Sequence, residues 1–236
     1  MRLLFLPKYA LNGASSRYRT YQYLEYFNSE SYRVEPLFDE KYISSLYTKQ
    51  SISKLYVLKR YIKRVLVLLQ AHKYDVVFLE KEFFPYLPFC VFLLKVLKIN
   101  YVVDYDDAIF HSYDSHKLKL VRQLFKHKIP SVIQNATAVI VGSPYLKEFA
   151  QKYNSAVYEI PTSIDIERYT LKIQKSIANN DILKIGWVGS PTTSKHLSVV
   201  IDALLCLVEQ QIAFELVLIG FSKQSGIDFK AIPVNY

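Results

Sequence analysis

Three short segments of this chain place chemically capable residues where a strand would hand over to a helix. The first is Asn12-Gly13-Ala14-Ser15-Ser16-Arg17-Tyr18-Arg19. Gly13 permits a close approach, Ser15 or Ser16 can cap the following helix, and a helix N-terminus favours an anion. Arg17 and Arg19 add positive charge; an ordinary capped helix with solvated arginines is the plainer reading. The second is Asp104-Tyr105-Asp106-Asp107-Ala108-Ile109-Phe110-His111. Acids gathered at the end of a buried strand repel one another and are costly unless they bind something or cap a helix. They suit an active-site edge that meets a hydroxyl-bearing substrate. The rival is a metal or phosphoacceptor pocket of the response-regulator type, which needs a basic partner near a later strand, and none is evident. The third is Gly186-Trp187-Val188-Gly189-Ser190-Pro191-Thr192-Thr193-Ser194-Lys195-His196-Leu197. Thr192, Thr193 or Ser194 can cap a helix whose free N–H groups face a diphosphate, with Lys195 as a cation. The spacing is neither a Walker A loop nor Gly-x-Gly-x-x-Gly, and a plain strand-to-helix turn is the alternative.

Such segments need a scaffold, and the hydrophobic pattern supplies one. Short β-branched runs predict strands over 3–6, 32–37, 75–80, 100–105, 138–141, 157–160, 183–188 and 214–219. Amphipathic runs predict helices over 17–27, 52–71, 88–97, 117–128, 144–153 and 197–208. Alternating strands and helices imply right-handed crossovers and parallel sheets, hence an α/β fold. The reading is a Rossmann-like N-terminal domain over 1–170, a polar linker over 171–182, and the first βαβ part of a second Rossmann-like domain over 183–236. A second possibility is that the late βαβ unit packs onto the first sheet.

The chain has 236 residues, 51% apolar and 22% charged, a composition that excludes disorder as the main state. Lys and Arg number 30 against 21 Asp and Glu, so the net charge of +9 favours anionic partners. From Lys41 to Tyr74 there are eight Lys or Arg and no Asp or Glu. The stripe Leu55, Leu58, Ile62, Val65, Leu66 and Leu69 is expected to pack on the sheet, leaving Lys59, Arg60, Lys63 and Arg64 solvated. The alternative is a basic amphipathic helix on an anionic membrane. Cys90 and Cys206 are expected as buried thiols in a reducing, cytoplasmic setting. No apolar run reaches the roughly 20 residues of a membrane span. His72, His116, His127 and His196 show no metal-ligand spacing, so no metal is expected. No nucleic-acid recognition signature appears.

The ordered series of segments resembles a GT-B glycosyltransferase of the large family 4 group. The likeness runs from the first strand to Gly220. It rests on the Gly13 loop with Arg17 and Arg19, Asp104-Tyr105-Asp106-Asp107-Ala108, and Gly142-Ser143-Pro144-Tyr145-Leu146. Ile160-Pro161-Thr162-Ser163-Ile164-Asp165 and Ile185-Gly186-Trp187-Val188-Gly189-Ser190-Pro191 complete it. The resemblance implies two Rossmann-like domains across a cleft. It implies sugar transfer from a nucleotide sugar of UDP or GDP type to a glycan or lipid-linked acceptor in surface polysaccharide synthesis. Retention at the anomeric carbon and no cofactor or metal go with it.

By the same resemblance, Gly13, Gly189, Ser190, Thr192 and Thr193 belong to donor binding, and Ser16, Arg17 and Arg19 to the acceptor side. Asp106, Asp107 and His111 contact the sugar or acceptor, and Lys195 holds the diphosphate. Where many relatives carry an arginine before that lysine, this chain has Ser190. The family's Glu-x7-Glu segment would fall beyond Tyr236, so the chain reads as C-terminally truncated and is expected to be inactive alone. The competing reading is a non-catalytic module whose basic face holds an anionic membrane, a glycan or a partner chain.

Overall fold

The computed structural model describes residues 1–48, 50–87, 99–168, 182–191, 193–222 and 225–236. The chain divides into two compact units, Met1–Tyr169 and Thr170–Tyr236. Unit 1 is built on a six-stranded sheet and unit 2 on a separate three-stranded sheet.

In unit 1 the strands are β1 (Leu3–Leu6), β2 (Tyr32–Val34), β3 (Val76–Glu80), β4 (Tyr101–Tyr105), β5 (Ala138–Val141) and β6 (Val157–Glu159). Their order is β2-β1-β3-β4-β5-β6. Every pairing is parallel, with Leu6 opposite Leu79, Glu80 opposite Asp104, and Tyr105 opposite Val141. Among the described residues the helices longer than one turn are α1 (Ala14–Arg19), α2 (Glu40–Thr48), α3 (Lys54–Leu69), α4 (Lys119–Phe125), α5 (Lys128–Gln134) and α6 (Pro144–Gln151), and a single turn covers His111–Asp114.

The strand order explains the layering. Only the β1-to-β2 connection steps one way across the sheet; the later connections step the other way. Right-handed crossovers therefore send most helices to one face. That face holds the core: Leu4, Leu6, Val77, Leu79, Tyr101, Val103 and Val139 pack against Val67 and Leu68 of α3, Ile129 and Ile133 of α5, and Leu146 of α6. On the other face Phe5 stacks on Phe78 and meets Phe27 edge-on, just past the 3₁₀ segment Tyr21–Tyr26. Beyond that cover, a groove of about 550 Å³ runs over Phe78, Val102, Ala138, Ile140 and Ile160.

In unit 2, β7 (Leu183–Val188), β8 (Phe214–Ile219) and β9 (Val234–Asn235) form a parallel sheet in that order. A 3₁₀ turn, Ser194–Val200, leads into α7 (Ile201–Glu209). Leu197, Ile201 and Leu204 bury against Phe214, Leu216 and Leu218. The late strands thus form their own sheet and do not extend the first.

Several expectations change. The helix expected over 17–27 starts at Ala14 and gives way to 3₁₀ structure at Tyr21. The helix expected over 117–128 is two helices, because Pro130 sits in the first turn of α5, where its missing N–H costs nothing. Cys206 is exposed, not buried, since Ile201 and Leu204 take the inward positions of α7. Cys90 and the helix expected over 88–97 lie outside the described residues. The largest change is on α3. Its stripe of Leu55, Leu58, Ile62, Val65, Leu66 and Leu69 faces outward, while Arg64 is buried. Arg64 donates to the carbonyls of Pro7 and Glu35, and Arg60 to those of Leu37 and Pro36.

Candidate functional site

The carboxyl ends of β1, β3 and β4 gather the charge of unit 1. Glu80 closes β3, Lys81 and Glu82 follow it, and all three are buried. Glu80 accepts from the Ser16 hydroxyl at 2.6 Å and the Lys8 N–H at 3.1 Å. Its other oxygen, Oε1, is buried without a hydrogen-bond partner. Burial pushes the Glu80 carboxyl up, partly opposed by the Ser16 bond.

Lys81 is the hub. Its Nζ lies 2.9 Å from Asp106, 2.7 Å from Asp107 and 3.3 Å from the Ser15 hydroxyl. Burial works against its charge, but the two aspartates outweigh it and hold the ammonium above its usual range. Burial would likewise raise the Asp106 carboxyl, but Lys81 brings it below its usual value. The Lys81 backbone has φ 63°, a left-handed conformation that a lysine adopts at some cost. This turn redirects the chain as it leaves β3, and the Lys81 ammonium sits between the acids at the end of β4. The basic partner that the acidic segment needs thus comes from a neighbouring earlier strand.

Asp104 is separated from the other acids and has its own cation. Arg19 grips both of its oxygens. The same guanidinium reaches the Ile160 carbonyl at 2.7 Å. Glu82 pairs with Lys128 at 2.5 Å and accepts from the Tyr113 hydroxyl at 2.7 Å. Repulsion among these acids is therefore offset by three cations from separate elements. Sequence reasoning missed Glu80, Lys81, Glu82 and Lys128. For the first three the available signal was a run of three consecutive charged residues where an apolar strand ends.

The exposed rim is formed by Asp107 and His111. Asp107 leaves 67% of its side chain accessible while bound to Lys81. His111 lies between Asp114 at 3.0 Å and the Tyr145 hydroxyl at 2.7 Å. With the proton on Nδ1 it donates to Asp114, and Nε2 accepts from Tyr145. That pair can exchange a proton with a substrate hydroxyl that displaces Tyr145.

The remaining expected residues of unit 1 divide by exposure. Gly13 caps α1 by its backbone alone, and a Cβ there would lie 2.4 Å from Cβ of Tyr9. Neither Ser15 nor Ser16 caps the helix; Ser16 is fully buried, between Glu80 and the Tyr9 N–H. Ser16 and Arg19 are engaged within the protein, whereas Arg17 is exposed over the Tyr18 ring.

In unit 2 the turn after β7 is tight. The Gly189 N–H donates to the Ile219 carbonyl, and a Cβ on Gly189 would collide with the Trp187 ring at 2.4 Å. The Ser190 N–H donates to the Thr193 hydroxyl at 2.9 Å, so Thr193 closes the turn and does not cap the helix. Ser194 is buried and accepts from the Ser222 N–H. Lys195 projects into solvent. Thr192 lies outside the described residues. Gly220 has φ 77°, and a Cβ there would lie 2.2 Å from the Gly189 carbonyl oxygen. Gly220→Ala should therefore cost about 2 kcal/mol or more. Urea unfolding followed by Trp187 fluorescence would show it; an unchanged midpoint would contradict the crowding argument.

Among the described residues, no three His, Cys, Asp or Glu side chains are placed to hold a metal ion. No helix among them is long and apolar enough to cross a membrane.

Neither protein-family models nor curated sequences give a match to this chain. Solved structures do. The S. aureus MnaA–UDP co-structure matches with a TM-score of 0.52 and 14% identity over 94% of this chain. Arabidopsis thaliana UGT89C1 complexed with UDP-L-rhamnose matches with a TM-score of 0.51 and 8% identity over 100% of this chain. The chain spans 62% of the MnaA chain and 69% of the UGT89C1 chain. At such identities the likeness gives the fold alone, which is GT-B-like with Rossmann-like units.

Proposed function

We propose that this chain serves sugar transfer from a nucleotide-sugar donor. The observation that carries the reading is the preorganised polar cluster at the carboxyl ends of β1, β3 and β4. Ligands of open parallel sheets bind at such ends. Within the cluster, Asp107 and His111 are the accessible groups and are assigned to hydroxyls of the sugar or acceptor. Lys81 positions Asp106 and Asp107, while Ser16 and Arg19 position the α1 loop. In unit 2, Gly189, Ser190, Thr193 and Lys195 are assigned to the donor, with Lys195 opposite the charge that builds on the departing diphosphate. The reaction proposed is retaining and metal-independent, with a glycan or lipid-linked acceptor of surface polysaccharide synthesis.

The test is calorimetric titration with UDP, GDP and ADP. One nucleotide should bind, and Lys195→Ala should weaken it about tenfold, or roughly 1.4 kcal/mol. His111→Ala should leave nucleotide affinity intact. Absence of binding by all three nucleotides at millimolar concentration would overturn the proposal, as would an unaffected Lys195→Ala.

A further inference from the structure

The α3 helix turns two of its cations, Arg60 and Arg64, inward and six of its apolar residues outward. Its inner face is complete. Val67 and Leu68 join the core, Arg60 and Arg64 bind backbone carbonyls, and the Tyr61 hydroxyl donates to the Pro85 carbonyl at 2.8 Å. The outward stripe is Leu55, Leu58, Ile62, Val65, Leu66 and Leu69, exposed by between 37% and 60%. On the helical repeat these six share one face. Lys59 and Lys63 border one side of it and Lys54 the other; Lys54 and Lys59 are exposed, and Lys63 reaches Glu35 at 2.9 Å. No acid lies on the helix, nor anywhere between Lys41 and Tyr74.

We infer that α3 is a docking face for an anionic lipid bilayer. An apolar stripe this continuous on a surface helix marks an interaction site. The spacing of 55, 58, 62, 65 and 69 would also suit helix pairing with a second copy. Charge decides between the two occupants. A second copy would bring Lys54 and Lys59 against their own kind with no acid to answer them. An anionic bilayer takes the leucines into the acyl boundary and lets the lysines reach the headgroups. At 16 residues the helix is about 24 Å long and lies along such a surface.

Flotation with vesicles of equal parts phosphatidylglycerol and phosphatidylcholine tests this. The chain should float with them at low salt, be released at high salt, and stay behind with pure phosphatidylcholine. Leu58→Glu with Leu66→Glu should lower the floated fraction at least tenfold. Lys54→Glu with Lys59→Glu should do the same on the anionic vesicles. All four positions are exposed, so the variants should keep the parent circular dichroism and melting temperature. Failure to float at low salt would overturn the inference, as would flotation unchanged in the leucine variant. A dimer in sedimentation velocity, dispersed by the leucine variant and blind to vesicles, would assign the face to a second copy instead.

Discussion

Lys81→Met should destabilise unit 1 by about 3 kcal/mol. Removing one partner of a buried ion pair typically costs about 3–5 kcal/mol, because the charge left behind keeps its desolvation cost. The low end applies here because Asp107 is largely accessible and can be rehydrated, whereas Asp106 is 14% exposed and cannot. The pH dependence follows from Asp106. Its carboxyl is held below the usual range in the folded chain, so the stabilisation is present above the unfolded value of 3.8 and is lost as pH falls through the folded one. The gap between wild type and Lys81→Met should therefore be full at neutral pH and narrow on acidification. Lys81→Met combined with Asp106→Asn should recover much of the stability. Urea unfolding at several pH values separates these results. A single variant as stable as the parent would mean that Asp106 is neutral in the fold.

Lys128→Met should be at least as damaging, by about 3–5 kcal/mol, with no effect on nucleotide affinity. Lys128 and Glu82 expose only 3% and 4% of their side chains. Lys128 also donates to the Phe84 carbonyl at 2.6 Å and the Tyr113 hydroxyl at 3.0 Å, so its loss takes a donor from three acceptors. Glu82→Gln added to Lys128→Met should restore part of the loss, since a neutral amide can still meet Tyr113. The pair is buried, whereas Asp107 and His111 are exposed, which is why binding should not change. A shift in nucleotide affinity equal to that of Lys195→Ala would place Lys128 in the binding machinery and refute this division.

The strands were legible in the sequence because a parallel strand buried on both faces, such as 3–6, reads as a continuous apolar run. The stretch 183–188 was equally clear by its β-branched and aromatic content. The direction of α3 was not legible. Periodicity reports that a helix has two unlike faces, not which one the core accepts. Here Arg60 and Arg64 take the inward positions by donating to the carbonyls of Pro7, Glu35, Pro36 and Leu37. The site was legible in part for a similar reason. Asp106, Asp107 and His111 stand near one another in sequence, so their grouping could be read. Lys81 lies 26 residues from Asp107 and meets it only through the pairing of β3 with β4. Ser16 could be read as accessible because helix caps usually are; burial against Glu80 depends on where β3 ends.

The ties made by the first turns of unit 1 bear on the order in which the chain assembles. Arg19 reaches the Ile160 carbonyl, Gln22 the Ser163 carbonyl, and Tyr23 the Ser163 hydroxyl, across sequence separations of 140 or 141 residues. Closing so long a loop in an unorganised chain loses entropy for three polar contacts, which cannot compensate it. These ties can form only once β6 has docked at the sheet edge and carried the 160–163 segment within reach. They are therefore expected on the native side of the folding barrier, as a latch that slows the opening of unit 1 without hastening its formation.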